Sequence, residues 1–169
     1  MVMALLAVSA GCYWGTMGGS DDKGLKVTLG EYCFSEASVA PGYSEVLMVE
    51  LAFKNEGESA FYFGHDDFVY IVGDTAMTRA YEPCDHCPPL IQTGTPPSGH
   101  YSRSLKPKQT CTCWFKFPAT QESPFPRDTR LTLAVYAEDS LGQPVLVELG
   151  LSAIDRMRSC TPEELQGQG

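Results

Sequence analysis

From Val46 to Asn55 the chain alternates with a period of two. Leu47, Val49, Leu51 and Phe53 fall on one face and Met48, Glu50, Ala52 and Lys54 on the other. A strand with one apolar face and one face for water belongs in an antiparallel sheet that packs on one side. The turn Glu56-Gly57-Glu58 follows, answered by Ser59 to Phe63. The sequence therefore predicts a two-stranded antiparallel unit at the centre of an all-β domain.

The remaining segments extend that reading. Leu25 to Ala37 alternates loosely and Gly30 interrupts it, which predicts a first strand with a bulge or bend at the glycine. Pro41-Gly42 marks the turn into the central strand. Phe68 to Val72 is a short apolar run rich in β-branched and aromatic residues, so a buried strand. Gly73-Asp74 turns it, and Thr78 to Glu82 returns as a short strand. In Gln109 to Phe117, Cys111, Cys113, Phe115 and Phe117 share the inward face, with Thr112, Trp114 and Lys116 opposite. Leu131 to Tyr136 and Val145 to Leu151 are the closing strands, separated by the turn Gly142-Gln143-Pro144. Thr161-Pro162-Glu163-Glu164 has a capping threonine, proline at the first helical position and glutamate at the third, which predicts one short C-terminal helix. About seven strands with turn signals between them, and no repeat, read as an antiparallel immunoglobulin-like sandwich. The expectation is that it buries the Leu47 and Phe115 faces against each other.

Residues 83–108 differ in kind. Prolines at 83, 88, 89, 96, 97 and 107 exclude a regular helix and any central strand. So long a connection in a compact domain is usually functional or disordered. The sequence thus divides into residues 1–24, 25–155 as the sandwich with 83–108 as its inserted loop, and 156–169 as the tail.

Composition narrows the partners. A formal charge of −9 repels phosphate backbones, and no basic run offsets it, so nucleic acid is not expected. Met1 to Ala10 is an uncharged apolar run too short to span a bilayer, with the length of a signal-peptide hydrophobic region. Ala10-Gly11-Cys12 resembles the end of a bacterial lipobox, which would make Cys12 a lipidated residue. Ser9 stands where that motif prefers leucine, and no lysine or arginine precedes the run. Tyr13 to Gly24 reads as a flexible tether. Export to the periplasm, outer membrane or cell surface is expected, with membrane contact only through the anchor at Cys12.

The pieces LKVTLGEYCFSEA, VELAFKNEGESAFYF, HDDFVYIVGDTAMTRAYEP, LKPKQTCTCWFKFP and LTLAVYAED, in that order, resemble a family of secreted bacterial domains of unknown function. That family has an immunoglobulin-like sandwich and is related to an immunoprotective extracellular antigen of mycobacteria. The resemblance runs from about Leu25 to Leu151 and rests on strand order and turn placement. It implies export, often lipid anchoring, and binding or structural roles, and supplies no catalytic residues. The cysteines and the proline-rich loop depart from it.

Seven cysteines suggest metal or catalysis in a reducing compartment and disulfides in an oxidising one. Cys84, Cys87, Cys111 and Cys113 could form a tetrahedral zinc site, with His86 able to replace one thiolate. The other reading is disulfides: setting aside Cys12 leaves an even set that adds Cys33 and Cys160, with pairing undetermined by sequence. Bridges pinning the long loop to the sandwich fit the expected export better than metal does. A c-type haem site fails because Pro88 follows Cys87 where histidine is required. A thioredoxin-like helix would break at Pro88-Pro89. Blue copper fails because the last histidine, His100, precedes Cys111. His65-Asp66-Asp67 with Asp74 is a weak start for calcium and reads better as a solvated turn. No G-x-S-x-G elbow, phosphate-binding glycine loop or H-E-x-x-H pair is present. Trp114, His100, Tyr101 and Arg103 are candidates for a partner surface. The expectation is a non-catalytic binding or accessory subunit that meets a protein partner and needs no cofactor or small-molecule ligand. The alternative is a periplasmic metal-binding or thiol-redox protein.

Overall fold

In a computed structural model of the chain, the described residues are 18–20, 23–36, 41–64, 68–72, 77–79 and 102–166; for 18–20, 77–79 and 102 the description is of backbone alone. The strands among them, in chain order, are β1 (Gly18–Ser20), β2 (Leu25–Ser35), β3 (Glu45–Asn55), β4 (Phe61–Gly64) and β5 (Val69–Val72). β6 (Met77–Arg79), β7 (Ser102–Leu105), β8 (Thr110–Ala119), β9 (Arg130–Glu138) and β10 (Pro144–Ala153) follow. A 3₁₀ turn, Ile154–Arg156, and a helix, α1 (Pro162–Gln166), complete the elements among the described residues.

Two antiparallel sheets result. One has the order β1-β2-β3-β8. The other is built on β9, with β10 along one edge and β5 and β4 on successive parts of the opposite edge; β6 extends β5 and β7 extends β4. This is the expected all-β sandwich with a short C-terminal helix, although ten strands are described rather than about seven. Three of the additional or shortened elements, β1, β6 and β7, have only three or four residues each. β7 lies inside the segment expected to be a strandless loop. Residues 102–105 are free of proline, so an edge strand can form there.

The central hairpin is a correction. β3 and β4 do not pair: β3 lies between β2 and β8, whereas β4 joins the opposite sheet. The turn between them carries the chain from one layer to the other. Asn55, fully buried, holds that corner. Its amide nitrogen donates to the Ser59 and Leu105 carbonyls at 2.8 and 2.9 Å, and its oxygen accepts the Gly57 N–H at 2.9 Å. Glycine is needed at 24 and 57 because the two backbones touch: a Cβ on Gly24 would sit 2.7 Å from the Gly57 nitrogen.

The second correction concerns the core. Val49 stands directly opposite Phe115 and Leu47 opposite Phe117 in adjacent strands, so these faces lie side by side in one layer. Together they face Leu131, Leu133 and Val135 of β9 and Val145, Val147 and Leu149 of β10. The centre is aromatic. The Phe53 ring meets Phe63, Phe68 and Phe115 at centroid separations of 5.7, 6.2 and 6.0 Å, all edge-on. Such pairs add about 0.5–1.5 kcal/mol each beyond their burial.

Local features agree with the sequence where it was specific. The β2–β3 register shifts between Leu29 and Tyr32, so Gly30 and Glu31 oppose Glu50 alone, a bulge where the glycine predicted one. Pro118 is tolerated in β8 because β8 is the last strand of its sheet. In the β9–β10 turn, Asp139 accepts the Leu141 and Gln143 N–H groups at 2.9 and 2.8 Å, and Gly142 takes φ +75°. Lys23 donates to the same carboxylate at 2.6 Å and, with those backbone bonds, holds it below the usual carboxylate range.

Candidate functional site

The outer face of β3 is not uniformly wet. Val46 and Met48 are buried, and Glu50 and Lys54 are not. This corrects the assignment of Met48 to a water face. Val46, Met48 and Cys33 form a second apolar cluster outside the main core, with Trp114, Cys160 and Leu165 packed against it. The C-terminal segment covers this end of the sheet. The physical reason is in the strand itself: its outward positions carry large apolar side chains at 46 and 48, and glutamate, alanine and lysine at 50, 52 and 54.

Cys33 and Cys160 are joined in a disulfide whose Cα atoms are 4.9 Å apart, at a sequence separation of 127. Ser159 runs parallel to Phe34 as an isolated bridge: Phe34 donates its N–H to the Arg158 carbonyl, and Cys160 donates to the Phe34 carbonyl, each at 3.0 Å. Arg158 reaches Glu164 at 2.7 Å and Glu31 at 3.2 Å. The predicted helix start is present as a reciprocal cap. The Thr161 N–H donates to the Glu164 carboxylate at 2.7 Å, and the Glu164 N–H donates to the Thr161 hydroxyl oxygen at 3.3 Å. The Arg158 hydrogen bond, then the Thr161 N–H, hold the Glu164 carboxyl down at about 2, and Glu164 in turn pushes Arg158 above its ordinary value.

Glu164 lies within 4.8 Å of both bridging sulfurs. Sulfurs bonded to each other are not thiolates, so this cluster offers no metal site. Cys111 and Cys113 both point into the core, with Sγ atoms 3.7 Å apart. Cys111 is itself disulfide-bonded, so in that contact the Cys113 thiol is the donor. The cysteine that Cys111 joins lies outside the described residues. A bridged Cys111 has no thiolate to give zinc while the bridge is intact.

Cys12, Cys84, His86, Cys87, His100 and Tyr101 lie outside the described residues, as do His65, Asp66, Asp67 and Asp74. Trp114 and Arg103 are described and are not brought together. Trp114 stands opposite Glu50 in the first sheet, partly buried against the Cys33, Val46 and Met48 cluster, and Arg103 stands opposite Phe63 in the second.

One ion pair with a buried carboxylate and an exposed guanidinium escaped the sequence reading. Glu45, at the start of β3, accepts the Phe125 N–H at 3.0 Å and is ion-paired with Arg127. Arg127 stacks 4.7 Å over the Phe34 ring and also meets Glu36 at 3.2 Å. A groove of about 600 Å³ opens beside it, lined by Phe34, Glu36, Arg127, Asp155 and Met157 among others. With Arg127 already shared between two carboxylates, the groove has no cation to spare for an anionic ligand. Nothing in the spacing of Glu45 and Arg127, 82 residues apart, could have paired them.

No family model matches the chain, and no curated protein does. Several solved structures resemble it in fold, two of which follow. A provisionally assigned lipoprotein from Bacillus subtilis aligns with a TM-score of 0.51 and 13% identity, over 82% of this chain and 39% of that one. The chain thus spans about two fifths of the Bacillus protein. A functionally unknown protein from Listeria monocytogenes aligns with a TM-score of 0.50 and 14% identity, over 80% of this chain and 81% of that one. At such identities the likeness is one of fold.

Proposed function

We propose that this chain is an exported, non-catalytic immunoglobulin-like domain that serves as a binding or accessory subunit of an envelope or extracellular assembly, anchored through a lipidated Cys12. The observation that carries the reading is the Cys33–Cys160 bridge. It ties the first long strand to the tail and seals an apolar cluster on the sheet's outer face. Bridges of that structural kind persist in oxidising compartments. The likeness in fold to a provisionally assigned lipoprotein supports the same direction, as does the lipobox-like Ala10-Gly11-Cys12. We also read the chain as a relative of the secreted domains related to the mycobacterial immunoprotective antigen. The metal alternative is less favoured, because a bridged Cys111 offers no thiolate in that state.

The test is metabolic labelling with a fatty acid analogue in cells expressing the full chain, followed by fractionation. Label on the wild type, lost with Cys12→Ala together with a shift from the membrane to the soluble extracytoplasmic fraction, is expected. An unlabelled protein confined to the cytosol would remove the reading.

A further inference from the structure

The large hydrophobic residues that stay exposed among the described residues are Tyr136, Leu141 and Leu146, and all three belong to the β9–β10 hairpin. Tyr136 and Leu146 are 40% and 47% exposed and stand directly opposite each other, so their side chains share the outer face of the second sheet. Tyr70 of β5 reaches the same place, its ring edge-on to Tyr136 at 5.3 Å. The other large hydrophobic residues among those described are buried or partly buried. The equivalent outer patch on the first sheet, Val46 and Met48, is covered by the chain's own C-terminal segment. Tyrosine is a frequent energetic anchor in interfaces because it buries much area at little entropic cost.

The charges around this patch select among occupants. Glu138 lies one step along β9 on the same face, and Glu148 one step along β10. One oxygen of Glu138 is buried without a hydrogen-bond partner. Basic positions fall at the margins: Arg79 lies opposite Tyr70 on β6, and Arg130 begins β9. A second copy docked face to face would set the acidic flank against itself, and a two-fold contact repeats each such clash. An anionic lipid surface is repelled by the same carboxylates and by a chain of net charge −9.

We propose that the outer face of the β9–β10 hairpin, centred on Tyr136 and Leu146 and flanked by Glu138 and Glu148, docks a basic segment of another protein that carries aliphatic residues between its cations. This deepens the binding-module reading and rests on it. The test is a titration of purified, isotope-labelled full chain, so a failure of export would leave it unaffected and its own failure would leave export standing.

Three peptides of equal length, alternating Lys/Leu, Glu/Leu and Lys/Ser, are titrated while backbone and side-chain resonances are followed. The Lys/Leu peptide should bind alone, with shifts concentrated at Tyr136 and Leu146, and its affinity should fall as salt rises. Leu146→Ser and Tyr136→Ser should each weaken binding about tenfold. Glu148→Lys, a surface change that leaves the core alone, should weaken it several-fold and flatten the salt dependence. Equal binding of the Glu/Leu peptide, shifts centred away from the hairpin, or no binding by any peptide would overturn the proposal. So would sedimentation showing a dimer that Leu146→Ser abolishes, because the face would then belong to a second copy.

Discussion

The two apolar regions of this molecule are held in different ways. Between the sheets, Phe53, Phe63, Phe68 and Phe115 interlock with side chains from nearly every long strand, so each contact is supported by many others. On the outside of the first sheet, Cys33, Val46 and Met48 are covered by one short segment. A single covalent bridge, two backbone hydrogen bonds and the Glu31–Arg158–Glu164 ion pairs keep it there. The first region is cooperative by packing. The second is a strap, and its few contacts predict that it lifts locally without the sandwich opening. A disulfide substitutes for area where the area is small.

The contrast can be broken from either side. Phe53→Ala removes the ring at the hub of the aromatic cluster and should cost about 3–5 kcal/mol of global stability, read as a lower denaturation midpoint. If it instead lowered the local protection of residues 157–166 by the same amount as the global stability, the two regions would be one cooperative unit. The paired change Cys33→Ser with Cys160→Ser should cost about 2–4 kcal/mol by relaxing the unfolded chain. In the native state it should also strip hydrogen-exchange protection from residues 157–166 while β9 and β10 keep theirs. The smallest effect is Glu164→Gln, which removes the charge paired with Arg158 and leaves an amide oxygen that can still accept the Thr161 N–H. About 0.5–1 kcal/mol is expected, confined to the strap and visible in Trp114 emission in a Trp14→Phe background. The pH dependence sharpens the same point. Glu164 is held at about 2 when folded against an ordinary 4.5, so its contribution is complete above about pH 4.5 and fades as pH falls toward 2. Trp114 emission should follow that window in the wild type, and Glu164→Gln should remove Glu164's share of it.

Alternation made the strands legible. Wherever a period of two was clear, as in Leu47 to Phe53 or Cys111 to Phe117, the inward face is the buried one. Gly30 gave the bulge, and Thr161 with Glu164 gave the helix start, because both are local rules with one short-range cause. Sheet assignment was not legible. A strand, a glycine turn and another strand read as a hairpin, and only the Asn55 corner, bonded to Leu105 fifty residues away, sends β4 to the other layer. Met48 was misplaced because alternation shows which side faces the core and not whether another segment covers the far side. Cys33 and Cys160 could be named as candidates but not paired, since six cysteines leave many connectivities open. The Glu45–Arg127 pair depends on chain reversals that no spacing encodes.

The most direct measurement is peptide mapping of the protein isolated from its own cells, with thiols blocked at lysis and no reductant added. The account predicts a linked peptide joining Cys33 to Cys160, recovered from the extracytoplasmic fraction. Recovery of both cysteines as alkylated thiols, from protein in the cytosol, would contradict it.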